Sequence, residues 1–148
     1  MSSKEQLASF LKALDANSIM SFDKRRFNHR LKLQKYVFIA RNFGFITPYN
    51  YSLYIHGPYS SNLADDYYHI GSYEDKEAAE LDSRFVKLVK NKSEVWLELA
   101  TTIIMIKERY ENISYNKLID LVKTTKPFAR SDYLAEIIRD LKKQNCLD

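Results

Sequence analysis

The chain has few of the residues that break or cross-link a polypeptide: its 148 residues include three glycines, three prolines and one cysteine. A sandwich or barrel needs frequent turns between short strands, so this composition excludes those folds and favours helices. Cys146 alone excludes an internal disulfide and a zinc site of several thiolates, which fits a reducing cytoplasm.

Long apolar segments are also missing. The longest apolar-leaning run, Leu97–Ile106, contains Glu98 and two threonines and is too short to span a bilayer. The N-terminus has no apolar segment typical of a signal peptide. We therefore expect a cytoplasmic protein that does not bind membranes.

Signatures of catalysis are absent as well. The sequence contains no phosphate-binding glycine loop, nucleophile elbow or dinucleotide fingerprint. Asp65 and His69 have the i, i+4 spacing of two metal ligands on a helix, but the sequence shows no further ligands. Cys146 has no evident activating base. We predict no catalytic residue, metal or cofactor, and hence no enzyme.

What the chain does contain is enough apolar material for one folded domain over residues 1–148, with 45% hydrophobic and 28% charged residues. Its charge is uneven, since residues 1–70 hold nine basic and five acidic side chains, whereas residues 71–148 hold fourteen of each. One basic cluster, free of carboxylates, comprises Lys24, Arg25, Arg26, Arg30, Lys32 and Lys35. It is compatible with phosphate contacts, with pairing to the acidic segment 74–82, or with a solvated face.

Apolar spacing predicts a helix over residues 3–15, with Ser2 and Glu5 as a capping box, and a second over 23–42 that Gly44 terminates. Phe27, Leu31, Gln34 and Phe38 lie on one stripe of the second helix, which leaves Lys32 and Lys35 facing mostly outward. Residues 50–56 alternate as a strand, with Tyr51, Leu53 and Ile55 on one face and Tyr54 and His56 on the other.

The dipeptide Gly57-Pro58 predicts a sharp turn into a helix capped by Ser60 or Ser61. The turn is compatible with a folding corner or with a binding site for an anion or a partner's carboxylate. Eight of the eleven tyrosines lie between Tyr36 and Tyr73. Tyrosine suits both an interface and a small core whose hydroxyls reach water.

Residues 71–148 show helical periodicity throughout, with a long apolar helix from Trp96 to Tyr110, a helix capped by Ser114, and a final helix capped by Ser131. This order is typical of the helical part of a winged helix. The predicted fold is therefore mainly α with a small β-sheet (α+β), containing a winged-helix-like helical domain. Residues 1–70 supply the basic helix, strand and Gly-Pro turn.

Two segments carry a family resemblance: Lys32–Ala40, and Tyr51–Leu63 with its His56-Gly57-Pro58-Tyr59-Ser60 turn. They resemble the helix-then-strand signature of YwgA-like proteins and, more distantly, the SocA-like or Panacea antitoxin domain. Antitoxin-type members more often carry a Trp before the turn, where this chain has Ile55-His56. The YwgA-like resemblance implies no established activity.

These observations predict a non-enzymatic interaction or regulatory module that binds another protein, with an antitoxin-like role implied by the more distant resemblance. The predicted partner-binding residues are Gln34, Tyr54, His56, Gly57, Pro58, Tyr59 and Ser60. The alternative is a winged-helix-type DNA-binding protein that uses the basic helix from Lys24 to Lys35. A second copy of the chain, giving a homodimer, is a further partner that the sequence leaves open.

Overall fold

The structure is a computed structural model that describes residues 2–45 and 47–148. These residues form a mainly helical fold with one small sheet, as predicted. The elements are α1 (Ser3–Ala16), α2 (Phe27–Ala40), a 3₁₀ turn (Arg41–Phe43), β1 (Ser52–Tyr54), β2 (Gly57–Tyr59), α3 (Ser61–His69), α4 (Ser83–Val89), α5 (Glu94–Arg109), α6 (Tyr115–Thr125) and α7 (Ser131–Lys143). None of the helices described has the length and apolarity needed to cross a membrane.

Helix α5 lies at the centre of the fold. It packs against α2, β2, α6 and α7, and the ten residues from Trp96 to Ile106 other than Glu98 are buried. One buried cluster extends from Leu7 in α1 to Leu147 near the C-terminus. The predicted long apolar helix is therefore confirmed, except that Tyr110 lies just past its end and is exposed.

Serine caps explain most helix starts. The capping box of Ser2 and Glu5 is present, and Ser60, Ser93 and Ser114 each accept a hydrogen bond from the backbone amide three residues later. The predicted cap at Ser131 is wrong, because Ser131 is already helical and Arg130 is the N-cap residue. The Ser131 hydroxyl instead accepts a hydrogen bond from Lys123 Nζ at 2.7 Å.

The basic helix is shorter than predicted. Helix α2 begins at Phe27 rather than Asp23, because residues 23–26 form a turn in which the Asp23 carboxylate accepts from the Arg25 backbone and side chain. The helix ends at Ala40 and continues as the 3₁₀ turn Arg41–Phe43, which Gly44 terminates as predicted, with a φ of +86° that suits glycine. Phe27 does not join the buried stripe, because it lies in the first turn beyond the core.

The strand prediction needs correction. Residues 50–56 do not form one strand, and Gly57-Pro58 is not the turn. Instead β1 and β2 pair antiparallel, with Tyr54 opposite Gly57, so that Ile55 and His56 form a two-residue hairpin turn. Gly57, at φ +91°, provides the backbone angle that L side chains rarely adopt. The turn therefore falls two residues earlier than the Gly-Pro signal suggests.

The three C-terminal helices follow one another as predicted for a winged-helix core, with α5, α6 and α7 packed together. The sheet, however, precedes α3 and packs on α2 and α5. Within residues 2–45 and 47–148 no wing follows α7.

Candidate functional site

The β1–β2 hairpin exposes its tip. Ile55 is 83% exposed and Tyr54 58%, and Leu53 and His56 are also exposed. We call these four residues the hairpin surface. Of the three residues predicted to share one face, Tyr51, Leu53 and Ile55, only Tyr51 reaches the core, where its ring packs edge-on at 5.0 Å from that of Phe38.

Two apolar side chains from neighbouring helices adjoin this tip. The Phe27 ring lies 6.2 Å from the His56 ring in an edge-on arrangement, and Val95 in the first turn of α5 lines the same cleft as Phe27 and His56. Both side chains are about half exposed, 59% for Phe27 and 48% for Val95. The sequence analysis did not identify either residue as part of the site.

The base of the hairpin is held by buried hydrogen bonds. Gln34 is fully buried, and its side-chain amide forms two bonds with the Ser60 backbone, donating to Ser60 O at 2.9 Å and accepting from Ser60 N at 2.8 Å. Gln34 and Ser60, two of the predicted partner-binding residues, are thus both buried, and the side chain of neither reaches the hairpin surface. They join the end of the hairpin to α2 and place the start of α3.

Gly57 and Pro58, which were also predicted to bind the partner, are buried as well. A Cβ at Gly57 would lie 3.2 Å from Thr102 Oγ1 and 3.5 Å from Lys35 Cε, so the backbone packs closely on α5 and α2. Pro58 O accepts a hydrogen bond from Lys35 Nζ at 2.8 Å. Tyr59 is half-buried, and its ring packs edge-on at 5.4 Å from the ring of Tyr54.

A charged cluster lies under the hairpin turn. Glu98 Oε2 accepts from Lys126 Nζ at 2.7 Å, and Glu98 Oε1 lies 3.3 Å from His56 Nδ1. Lys126, which is 5% exposed, also donates to Ile55 O at 3.1 Å. The sequence analysis missed both residues of this ion pair. The available signals were a carboxylate interrupting an apolar helix and a lysine immediately before Pro127.

The basic cluster is only partly available to a ligand. Lys35 is buried, which contradicts its predicted outward orientation, because α2 turns this residue toward the hairpin base. The guanidinium of Arg25 forms a two-bond pair with Asp23 and lowers the pKa of that carboxyl to about 2. Lys24 donates to Tyr68 O, and Arg30 donates to Lys24 O.

Arg26 and Lys32 are the members of the basic cluster with neither an ion pair nor a side-chain hydrogen bond to the described residues. The acidic segment 74–82 does not pair with the basic cluster in the part of the chain that the structure describes. Within that segment Asp82 pairs with Arg84 instead. The basic cluster is thus a mixture of buried, internally bonded and solvated residues.

The tyrosines divide between core and surface. Tyr36, Tyr49 and Tyr67 are buried, and Tyr49 donates to the buried Asp66 carboxylate at 2.7 Å. Burial also raises the pKa of Tyr36 to about 12. Tyr54 and Tyr68 are exposed. Tyr54 is therefore the tyrosine that the hairpin surface presents.

Metal ligands do not converge among the residues that the structure places. No three His, Cys, Asp or Glu side chains within residues 2–45 and 47–148 are arranged to hold an ion. His69 Nδ1 lies 2.7 Å from the backbone oxygen of Asp65 and 3.5 Å from its carboxylate, so the i, i+4 pair forms a local helix contact.

Comparisons of the chain with protein-family models, curated proteins and solved structures gave no match. The resemblance to YwgA-like proteins stays a prediction from the two sequence segments that carry it.

Proposed function

We propose that the chain is a non-enzymatic interaction module that binds another protein through the hairpin surface. The observation that carries this proposal is the exposure of Tyr54 and Ile55 on a hairpin whose base is buried and hydrogen-bonded. Large apolar side chains held at the surface mark interaction sites, and tyrosine is enriched there.

The support around the hairpin makes these side chains suitable anchors. Lys126, the residue after α6, holds the carbonyl of Ile55 in the turn, and Gln34 in α2 holds the backbone of Ser60 just after β2. Both the turn and the base of the hairpin are therefore attached to the helical part of the fold. A partner that covers the tip gains apolar burial without ordering a loose loop, and such preorganisation lowers the entropic cost of binding. Phe27 and Val95 extend the apolar area beside the tip.

The test is co-purification from the cells that make the protein, with the tagged native chain compared to Tyr54→Ala and Ile55→Asp. We expect both substitutions to remove the partner. Tyr110→Ala is the matched control, because Tyr110 is 59% exposed at the opposite end of α5 from Glu98. A native chain that elutes alone, or a complex that survives both hairpin substitutions, contradicts the proposal.

The antitoxin-like form of the proposal makes a narrower prediction. If the partner is a toxin, its gene is expected next to the gene of this chain, and co-expression of the two should relieve growth arrest. Ile55→Asp should lose that protection and Tyr110→Ala should keep it. Growth arrest that is relieved equally by both variants would place neutralisation elsewhere on the chain.

DNA binding through the basic cluster is the second candidate. Arg26 and Lys32, without ion pairs among the described residues, and the exposed Lys24 favour it. Fluorescence anisotropy with mixed duplexes should then show binding that falls steeply with salt and weakens when Arg26 and Lys32 are both replaced by alanine. Binding that is absent at low salt, or unchanged by the double substitution, would contradict DNA binding through the basic cluster.

A further inference from the structure

A small cleft lies beside the hairpin between the first turns of α2 and α5. Its volume is about 200 Å³. Phe27, Leu31, Val95 and Leu97 give it apolar walls. Its polar lining residues are Lys32, Lys35, His56, Glu94 and Glu98. Pockets for drug-sized ligands commonly measure ~300–1,000 Å³, so this cleft suits a ligand with one short apolar group.

Lys35 is the unusual member of the cleft. Its side chain is only 3% exposed, and its Nζ donates one hydrogen bond, to Pro58 O at 2.8 Å. An ammonium group has three N–H donors. The other two have no acceptor among residues 2–45 and 47–148.

The charge of Lys35 also lacks a directly bonded counterion in the described chain. Glu98 attracts it, but both Glu98 oxygens are engaged by Lys126 and His56. Burial lowers the pKa of Lys35 to about 8, against the opposing attraction of Glu98. Lys35 is therefore mostly cationic at neutral pH, and a buried cation is costly until an anion bonds to it.

The geometry points to a binding site for a small carboxylate that carries a short apolar group. The carboxylate would accept the spare N–H donors of Lys35, and the apolar group would occupy the space between Phe27, Leu31 and Val95. Inorganic anions lack the apolar part and would leave these walls uncovered. This inference does not depend on the proposed protein partner, because it concerns a ligand small enough to enter the cleft.

The test uses the full chain labelled with ¹⁵N, titrated at pH 7 with phenylacetate and with phenylacetamide. We expect saturable amide shifts in residues 31–35, 56–57 and 94–98 with phenylacetate. Phenylacetamide should bind about tenfold more weakly, because hydrogen bonds to a charged group contribute about 1.5–3 kcal/mol and a tenfold change corresponds to about 1.4 kcal/mol. Equal affinities, or shifts confined to other regions, would overturn the inference.

Two lysine variants test which positive charge binds the carboxylate. Lys35→Met keeps the apolar stem and should abolish the preference for the acid over the amide. Lys32→Met is the matched control, since Lys32 lines the same cleft but is only half-buried, and it should keep most of that preference. If Lys35→Met does not fold, the affinities of phenylacetate and phenylacetamide for the native chain still test whether the cleft binds a carboxylate.

A pH series adds an independent readout. Phenylacetate affinity should fall between pH 7 and pH 9 as Lys35 loses its proton. The charged or titratable groups that face Lys35 are Lys32 on its own helix, His56 on the hairpin, Glu94 and Glu98 on α5, and Lys126 after α6. Lys32→Met should show the same fall. A phenylacetate affinity that is constant over this range would contradict a role for the Lys35 charge.

Discussion

Replacing Gln34 by leucine tests whether the buried amide holds the hairpin to the helices. The change removes two hydrogen bonds to Ser60 and leaves its buried N–H without a partner, whereas its C=O keeps the bond from Ala64 N at 3.1 Å. The unsatisfied N–H costs about 1–3 kcal/mol and the lost second bond to the carbonyl about 1 kcal/mol, and the additional apolar burial of leucine recovers about 1–2 kcal/mol. We therefore expect the free energy of unfolding to fall by about 1–2 kcal/mol.

Urea denaturation followed by circular dichroism measures this loss, and hydrogen exchange at the Ser60 amide locates it. Ser60→Ala is the closest control, because it keeps the backbone bonds to Gln34 and removes only the cap of α3, at a cost of about 1 kcal/mol. Tyr54→Ala should change stability by less than about 0.5 kcal/mol. The reasoning is refuted if Gln34→Leu leaves the free energy of unfolding unchanged within about 0.5 kcal/mol and the Ser60 amide remains equally protected.

Three further predictions concern buried groups. Gly57→Ala should lower the free energy of unfolding by about 2 kcal/mol, because φ is +91° and the new Cβ would lie 3.2 Å from Thr102 Oγ1. In a double-mutant cycle, adding Thr102→Ala should recover only the part of this loss that comes from the contact, and full recovery would exclude backbone strain. Burial lowers the pKa of Lys35 from 10.5 to about 8, so between pH 8 and pH 10 the unfolded chain holds a proton that the native chain loses. The unfolding free energy of the native chain should therefore rise with pH in that window relative to Lys35→Met, and parallel pH profiles would contradict the lowered pKa. Burial raises the pKa of the Cys146 thiol from 9.0 to about 11. Iodoacetamide should therefore alkylate the native chain at pH 7.5 roughly 100-fold more slowly than the chain unfolded in urea, and equal rates would show an accessible thiolate.

The local sequence determined most of the helices. Apolar spacing predicted the long central helix, and serine followed by helical residues predicted the caps at Ser2 and Ser114 and a cap at Ser60 or Ser61, of which the structure has Ser60. These features depend on residues three or four positions apart, so they can be read without knowing the rest of the chain. Gly44 ended the 3₁₀ turn that follows α2 for the same local reason.

The site could be predicted only in part. Tyr54 and His56 were expected at the surface and are exposed, but Leu53 and Ile55 on the opposite predicted face are exposed as well, because the hairpin tip extends beyond the core. Apolar spacing placed Gln34 on the stripe with Phe38, whereas Lys35 was misjudged because polar residues in a helix are ordinarily solvated. Both are buried here because the hairpin covers that part of α2 and presents backbone groups, Ser60 and Pro58, with which they form hydrogen bonds.

The sequence by itself determined a helical chain with a short extended segment at its Gly-Pro dipeptide, because these are matters of spacing and backbone angle. Only the tertiary structure decided that Glu98 meets Lys126, 28 residues away, and that together they secure a hairpin turn. Such pairs form when separate helices pack, and nothing in the spacing of either residue encodes the other. The exposed tip beside the buried charged cluster is thus a product of packing.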